Sequence, residues 1–168
     1  AYRSIPRYES SPTLAMATTT LKLRRRVPDE ARLAWAREVV KGMGDRVPKS
    51  IPEVYAKEAI YLHEVPEREL VLQTLRVGDL HVNAIPNEVY AISGLKLKHR
   101  SPFPVVMNIE LANGGEGYIP PPEQHDLGGY TTWPARTAAL EVQAEPRIVG
   151  TLVGLYERLG APAHPRET

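Results

Sequence analysis

The sequence predicts an α/β fold in which helices pack on a mixed β-sheet. Segments with the alternation of strands and segments with the period of helices follow one another in mixed order. Two strands are separated only by Gly78 and Asp79, which is typical of a tight antiparallel hairpin. A segment over 104–111 is mostly apolar, as expected of a strand covered on both faces. We therefore expect this chain to be part of a larger layered α/β domain.

Composition allows a packed core and excludes several classes of function. Apolar residues make up 42% of the 168 residues, enough for one domain or a substantial piece of one. The 21 basic and 20 acidic residues show no basic excess, so we expect no nucleic-acid partner. Without cysteine, neither disulfides nor thiolate chemistry is possible. We expect no transmembrane segment and no signal peptide, because no apolar run of suitable length is found.

The first part of the chain is predicted to contain one strand and two helices. Residues 1–16 are expected to be irregular, and threonines with alternating leucines predict a strand over 17–26. Pro28 suits the first turn of a helix whose apolar stripe continues as far as Gly44. Ser50, followed three residues later by a glutamate, forms a capping-box pattern that opens a second helix.

The second part continues the mixed order of elements. Further elements are predicted as hairpin strands at 69–77 and 80–85, a helix at 88–99, the apolar strand at 104–111, a helical turn at 122–127 and a last helix at 146–159. The predicted organisation is an irregular segment over 1–16, an α/β domain over 17–160 and a frayed tail over 161–168.

One candidate functional residue lies where a strand turns directly into a helix. In α/β sheets, ligand sites favour the carboxyl ends of strands, and Glu88 follows such an end. We expect Glu88 near a helix N-terminus, where the dipole stabilises its charged form, and such a carboxylate is a good metal ligand. The alternative is that Glu88 only caps the helix.

Two tyrosines follow glycine-rich segments further along the chain. The glycines between Asn113 and Tyr118 allow the backbone to approach another group closely, or to form a surface turn over which Tyr118 packs. Gly128 and Gly129 precede Tyr130 in the same way twelve residues later. Tyr130 and Trp133 could also serve as stacking platforms for a glycan, or Trp133 could simply pack the loop ahead of Pro134.

This ordered set resembles the C-terminal half of the catalytic domain of neutral/alkaline (non-lysosomal) ceramidases, which are zinc amidases that cleave the N-acyl bond of ceramide. The matching residues are Asn87-Glu88-Val89, the segment from Leu111 to Tyr118, and Tyr130. The segment Ser101-Pro-Phe-Pro104 and the closing helix are also similar to bacterial proteins of this kind. The similarity extends from about Thr18 to Leu159 and is strongest over 84–134.

The resemblance implies a role for each matching residue. Glu88 and Tyr118 would be zinc ligands, and Tyr130 would face the reacting carbonyl as a catalytic residue. Two departures from the family pattern stand beside these roles. Asn87 occupies the position of a glycine, so the turn before Glu88 is expected to differ from that of the family. Residues 135–137 differ from the family pattern around the substrate entrance, so a different lipid specificity is expected.

The other groups of such a site lie upstream in the family: two histidine ligands, a nucleophilic serine and an arginine. None of the five histidines forms a closely spaced pair, and His81, which alternates within a strand, is expected on the sheet surface. A catalytic zinc needs three or more protein ligands, so we expect the chain alone to hold zinc weakly and to be inactive. The upstream half of the same protein, or a second chain, would complete the site.

Two functions follow from these observations. The first is part of a zinc-dependent amidohydrolase that acts on a lipid or another N-acyl small molecule. The alternative is a non-catalytic module that kept the fold and binds a ligand or partner. The resemblance favours a secreted or periplasmic protein.

Overall fold

The computed structural model describes residue 4 and residues 10–163. Its strands are β1 (Leu14–Arg24), β2 (Glu67–Val77), β3 (Leu80–Ala84), β4 (Glu88–Val89), β5 (Val105–Ile109) and β6 (Tyr118–Ile119). Its α-helices are α1 (Glu30–Met43), α2 (Ile51–Glu64), α3 (Ala91–Arg100), α4 (Pro122–Leu127) and α5 (Ala144–Leu155). Short 3-10 helices cover Tyr130–Thr132, Arg136–Ala138 and Tyr156–Leu159.

A four-stranded mixed sheet, in the order β1-β2-β3-β5, confirms the predicted α/β class. β1 and β2 are antiparallel, and the hairpin predicted at Gly78 and Asp79 joins β2 to β3. β5 pairs with β3 in parallel, and α3 makes the connection between them. This is the crossover that parallel neighbours require.

One face of the sheet carries the main core. Leu70 and Leu72 of β2 are buried there against α5, whose Ile148 and Leu152 are fully buried, and Leu23 of β1 joins the same cluster. At ~25 cal/mol per Å² of apolar area, burial of these side chains supplies about 1.5–3 kcal/mol each. The 3-10 helix after α5 extends this layer across β1 and β2.

The opposite face of the sheet is apolar and open. Val105, Met107 and Ile109 of β5 are 56%, 53% and 44% exposed, so the apolar strand is covered on one face instead of two. The strand register places other apolar side chains on the same face: Leu14, Met16, Val71, Leu75, Val77, Leu80 and Val82. We call this set the open sheet face. No element of the described chain forms a layer over it.

The helix predicted from residue 88 begins three residues later, at Ala91. Glu88 and Val89 are instead extended and pair in parallel with Tyr118 and Ile119. The Glu88 N–H donates to the Gly117 carbonyl at 3.0 Å, and the Val89 N–H donates to the Glu110 carboxylate at 2.8 Å. These partners satisfy both N–H groups outside a helix. Glu88 therefore lies in a strand two residues before the helix N-cap, Tyr90, and the alternative that it only caps the helix was wrong.

The remaining boundaries differ by a few residues. β1 begins at Leu14, three residues before the predicted start, and residues 1–3, 5–9 and 164–168 lie outside the described part.

The two predicted helices α1 and α2 pack together through small side chains, Ala36, Ala56 and Ala59. Within residues 10–163, no helix is both long and apolar enough to cross a membrane.

His81 is buried in the core, and the expectation that it lies on the sheet surface was wrong. Its Nδ1 lies 2.8 Å from the Ser101 hydroxyl, and its Nε2 is hydrogen-bonded to Thr74. Its ring contacts Phe103 and Tyr156 at centroid distances of 5.0 and 4.3 Å. Burial lowers the pKa of His81 from 6.5 to about 4, so the ring is neutral near pH 7.

Candidate functional site

Glu88 and Tyr118, the two predicted metal ligands, lie opposite each other in the parallel β4–β6 ladder. Interaction with the Glu88 carboxylate, which favours the protonated phenol, raises the pKa of Tyr118. Both side chains are half-buried. The ladder thus places side by side two oxygen-bearing side chains that could each bind a cation.

Tyr130, the predicted catalytic residue, packs against this pair. Its ring centroid lies 5.8 Å from that of Tyr118 at an interplanar angle of 75°, and the side chain is 55% exposed. Gly128 and Gly129, with φ of 74° and 97°, form the turn that places Tyr130 there. The structure thus brings all three predicted site residues into one cluster, which we call the Glu88–Tyr118–Tyr130 cluster.

Asn87, which stands where the resembled family has glycine, fixes the loop next to the cluster. It is fully buried, and its Nδ2 donates to the carbonyl oxygens of Glu116 and Gly117, each at 3.2 Å. A buried amide that satisfies two carbonyls is costly to remove, because they would lose their partner. The departure from the family pattern therefore stabilises the position of Tyr118.

Gly117 allows the close approach that this arrangement needs. Its φ is +72°, in the left-handed region that L side chains rarely adopt. A Cβ at this position would lie 2.6 Å from the carbonyl carbon of Thr137. The residue before Tyr118 must consequently be glycine for the loop to pack against the segment around Thr137.

The sequence reasoning missed Glu110, a second carboxylate, which lies beside Glu88 of the cluster. It accepts the Val89 N–H and, with Glu88 and Tyr130, contributes to the raised pKa of Tyr118. Its position just after β5 was a signal, since the carboxyl ends of β5 and β3 meet at one sheet edge.

A second missed contact anchors the loop that follows Tyr130. The Arg136 guanidinium donates to both carboxylate oxygens of Glu58 on α2, at 2.6–3.0 Å. The backbone N–H of Arg136 donates to the same carboxylate at 2.8 Å. Burial alone raises the pKa of Glu58, but these bonds outweigh it and the net pKa is lowered. The segment that departs from the family pattern is thereby tied to the helix pair.

An aromatic row leads from the cluster to a cavity. The ring of Tyr130 lies 6.4 Å from that of Trp133, which lies 5.8 Å from that of Tyr55 on α2. These pairs meet edge to face, at 74° and 77°, so they do not form one flat stacking platform for a glycan. Beyond them lies a cavity of about 590 Å³ between α1, α2 and the loop at Trp133, which we call the α1–α2 cavity.

The oxygen donors of Glu88 and Tyr118 fit two positions of a site for zinc or another hard cation. The two residues are direct partners in the β4–β6 ladder, and the Glu88 carboxylate is close enough to raise the pKa of Tyr118. No cluster of three or more histidine, aspartate or glutamate side chains that could hold a metal ion occurs in the part of the chain that the structure describes.

Comparison with known proteins gives matches among solved structures only. No family model matches the chain, and no curated protein matches it. A ceramidase complexed with C2 is 17% identical, with a TM-score of 0.47, over 59% of this chain and 17% of that chain. Neutral ceramidase from Pseudomonas aeruginosa is 18% identical, with a TM-score of 0.45, over the same shares.

Both of these similar structures are ceramidases. The likeness concerns part of the fold. The chain spans only 17% of the length of either ceramidase chain.

Proposed function

We propose that this chain forms one wall of a zinc-dependent amide hydrolase site. Glu88 and Tyr118 hold the metal, and Tyr130 faces the carbonyl of an N-acyl substrate. The observation that supports this most is the pairing of Glu88 with Tyr118 across the β4–β6 ladder, with the ring of Tyr130 packed on that of Tyr118. The reaction class is taken from the resemblance of residues 84–134 to ceramidases.

The chemistry of the three side chains suits this role. A cation bound between them would be held by the Glu88 carboxylate and by the oxygen of Tyr118, which would release its proton on binding. Zinc in such a site supplies Lewis acidity, which polarises an amide carbonyl and lowers the pKa of bound water. The half-exposed phenol of Tyr130 can donate a hydrogen bond to the oxyanion that develops on the carbonyl.

The proposal requires further groups from elsewhere. A catalytic zinc has three or more protein ligands, and Glu88 and Tyr118 supply two. We propose that an upstream segment of the same protein, or a second chain, supplies the histidines and the nucleophile. The open sheet face supports this, because a large exposed apolar face is normally covered by another layer or partner.

Zinc content and amidase activity of the assembled protein test the proposal. Glu88→Ala and Tyr118→Phe are expected to lose both zinc and N-acyl amide hydrolysis. Tyr130→Phe is the matched control, because it removes the hydroxyl of a neighbouring tyrosine that is not a proposed zinc ligand. This variant should keep zinc, while its activity should fall about 10²–10³-fold. Unchanged zinc content in both Glu88→Ala and Tyr118→Phe would overturn the ligand assignment.

A binding module without catalysis is the second candidate. The α1–α2 cavity favours it, since a concave apolar site of this size is typical of small-molecule binding. An assembled protein that contains stoichiometric zinc but hydrolyses no N-acyl amide would support this candidate over the first.

A further inference from the structure

We propose that the α1–α2 cavity binds a single-chain amphiphile with an anionic head group, of the class of fatty carboxylates. The proposal stands on the cavity and its arginines, and it does not depend on the proposed hydrolase function. The acyl chain would lie among the aromatic side chains, and the head group would lie beside Arg26 and Arg32.

The walls of the cavity present apolar surface to water. Trp35 of α1, Tyr55 of α2 and Trp133 line it, together with prolines and aliphatic side chains. Ile51, which also lines it, is 68% exposed, although an isoleucine is more commonly buried. A bound apolar group would remove these surfaces from water, at a gain of about 25 cal/mol per Å².

The volume suits a chain of moderate length. The cavity of about 590 Å³ lies within the ~300–1,000 Å³ range of small-molecule sites. A cavity of ~150 Å³ is known to hold one benzene, so this volume accommodates on the order of twenty carbon atoms. A saturated chain of about twelve carbons therefore fits with space for a head group.

The charge of the cavity selects an anion. Arg26 and Arg32 both line it, and no aspartate or glutamate does so among the described residues. The guanidinium of Arg32 lies 3.8 Å from the centre of the Trp35 ring, a cation–π contact that leaves its edge N–H groups directed outward for hydrogen bonds. Within residues 10–163, neither arginine forms an ion pair.

Arg26 is a half-buried cation without a counter-charge. Its guanidinium donates to the carbonyls of Thr132, at 2.7 Å, and Ala138, and lies 3.4 Å from His125 Nδ1. Burial lowers the pKa of Arg26. A partly buried charge is costly unless it is paired, and an anionic head group at the cavity would supply the missing charge.

Intrinsic fluorescence reports directly on this cavity, because both tryptophans of the chain, Trp35 and Trp133, line it. The probe is sodium dodecanoate below its critical micelle concentration, titrated into the complete chain. We expect a saturable change in tryptophan emission. Dodecyltrimethylammonium, with the same chain and the opposite charge, should bind at least tenfold more weakly.

Two variants and a control separate specific binding from detergent adsorption. Arg32→Gln should weaken dodecanoate binding about tenfold, and Ile51→Glu, which adds a carboxylate at the first residue of α2, should do so too. An acidic residue suits that helix end, so Ile51→Glu should fold. Val47→Glu makes the same charge change at a 73% exposed residue outside the cavity lining, and binding should stay within twofold.

Three results would overturn the proposal: no saturable change with dodecanoate, equal binding of the cationic amphiphile, or wild-type affinity in both Arg32→Gln and Ile51→Glu. Isothermal titration calorimetry on the same proteins checks the affinity independently of any effect of Arg32 on tryptophan emission. Glu88→Ala should bind dodecanoate as the wild type does, because Glu88 does not line the cavity. Failure of the zinc assignment and failure of this binding site are thus distinguishable.

Discussion

The buried His81 predicts a loss of stability in mild acid. In the unfolded chain the imidazole has an ordinary pKa near 6.5, whereas burial lowers its pKa to about 4 in the folded protein. As the pH falls below 6.5, the unfolded state gains a proton that the folded state does not accept. The contribution of neutral His81 to stability is therefore fully present above pH 6.5 and is lost progressively between pH 6.5 and pH 4.

The size of this loss follows from the difference in pKa. About 2.5 pKa units at ~1.36 kcal/mol each give a loss of about 3 kcal/mol from His81. The ring is fully buried between Ser101, Thr74 and two aromatic rings, so solvent does not reduce this contribution. For a protein with ~5–15 kcal/mol of stability, this is a large fraction.

Urea denaturation at half-unit steps from pH 4 to pH 8 measures the effect. His81→Gln removes the titrating group but keeps a side chain that can hydrogen-bond to Ser101. The variant should be less stable at pH 7, and its deficit should shrink by about 3 kcal/mol as the pH falls to 4. Other titrating groups, such as His125, whose pKa burial also lowers, are common to both proteins and cancel in the difference.

His63→Gln, at an exposed histidine near the end of α2, is the control and should follow the wild-type curve. If the curves of wild type and His81→Gln run parallel from pH 8 to pH 4, burial of a neutral His81 is refuted.

Three further substitutions probe what holds the cluster and the core, each measured by urea denaturation. Gly117→Ala should lower the free energy of unfolding by about 3 kcal/mol, because an alanine there has a left-handed φ and clashes with a backbone carbonyl. Gly115→Ala is the control, because no atom lies near its Cβ, and it should change the free energy of unfolding by less than ~0.5 kcal/mol. Asn87→Ala should cost about 2 kcal/mol because two loop carbonyls lose their donor, and a neutral effect would contradict that role. Lys96→Met should cost about 3 kcal/mol by leaving the fully buried Glu145 unpaired, and Lys96→Met with Glu145→Met should recover most of it; no recovery would refute the pairing.

Local patterns predicted the elements that depend on near neighbours. The hairpin at Gly78 and Asp79 and the helix that starts after Pro28 follow from turn and capping chemistry within a few residues. The β4–β6 ladder could not be read in this way. It consists of two residues a side and is held by Asn87 and the 116–117 loop, which are 29 and 30 residues apart along the chain.

The same limit applies to burial and to the site. Alternation along β3 shows that neighbouring side chains point to opposite faces, but not which face a helix covers, and so His81 was placed on the wrong side. The resemblance implied one site for Glu88, Tyr118 and Tyr130, and the structure brings them together. Glu110 joins them only through tertiary pairing of β5 with β3.

The proposed sharing of one cation by Glu88 and Tyr118 is tested most directly by zinc affinity, measured in the complete protein by competition with a chromophoric chelator. Glu88→Ala and Tyr118→Phe should each raise the zinc Kd more than about 100-fold, beyond the ~10–100-fold typical of groups that only support a ligand. Tyr130→Phe should change the Kd less than about threefold. A Kd in Glu88→Ala and Tyr118→Phe equal to that of the wild type would contradict the assignment.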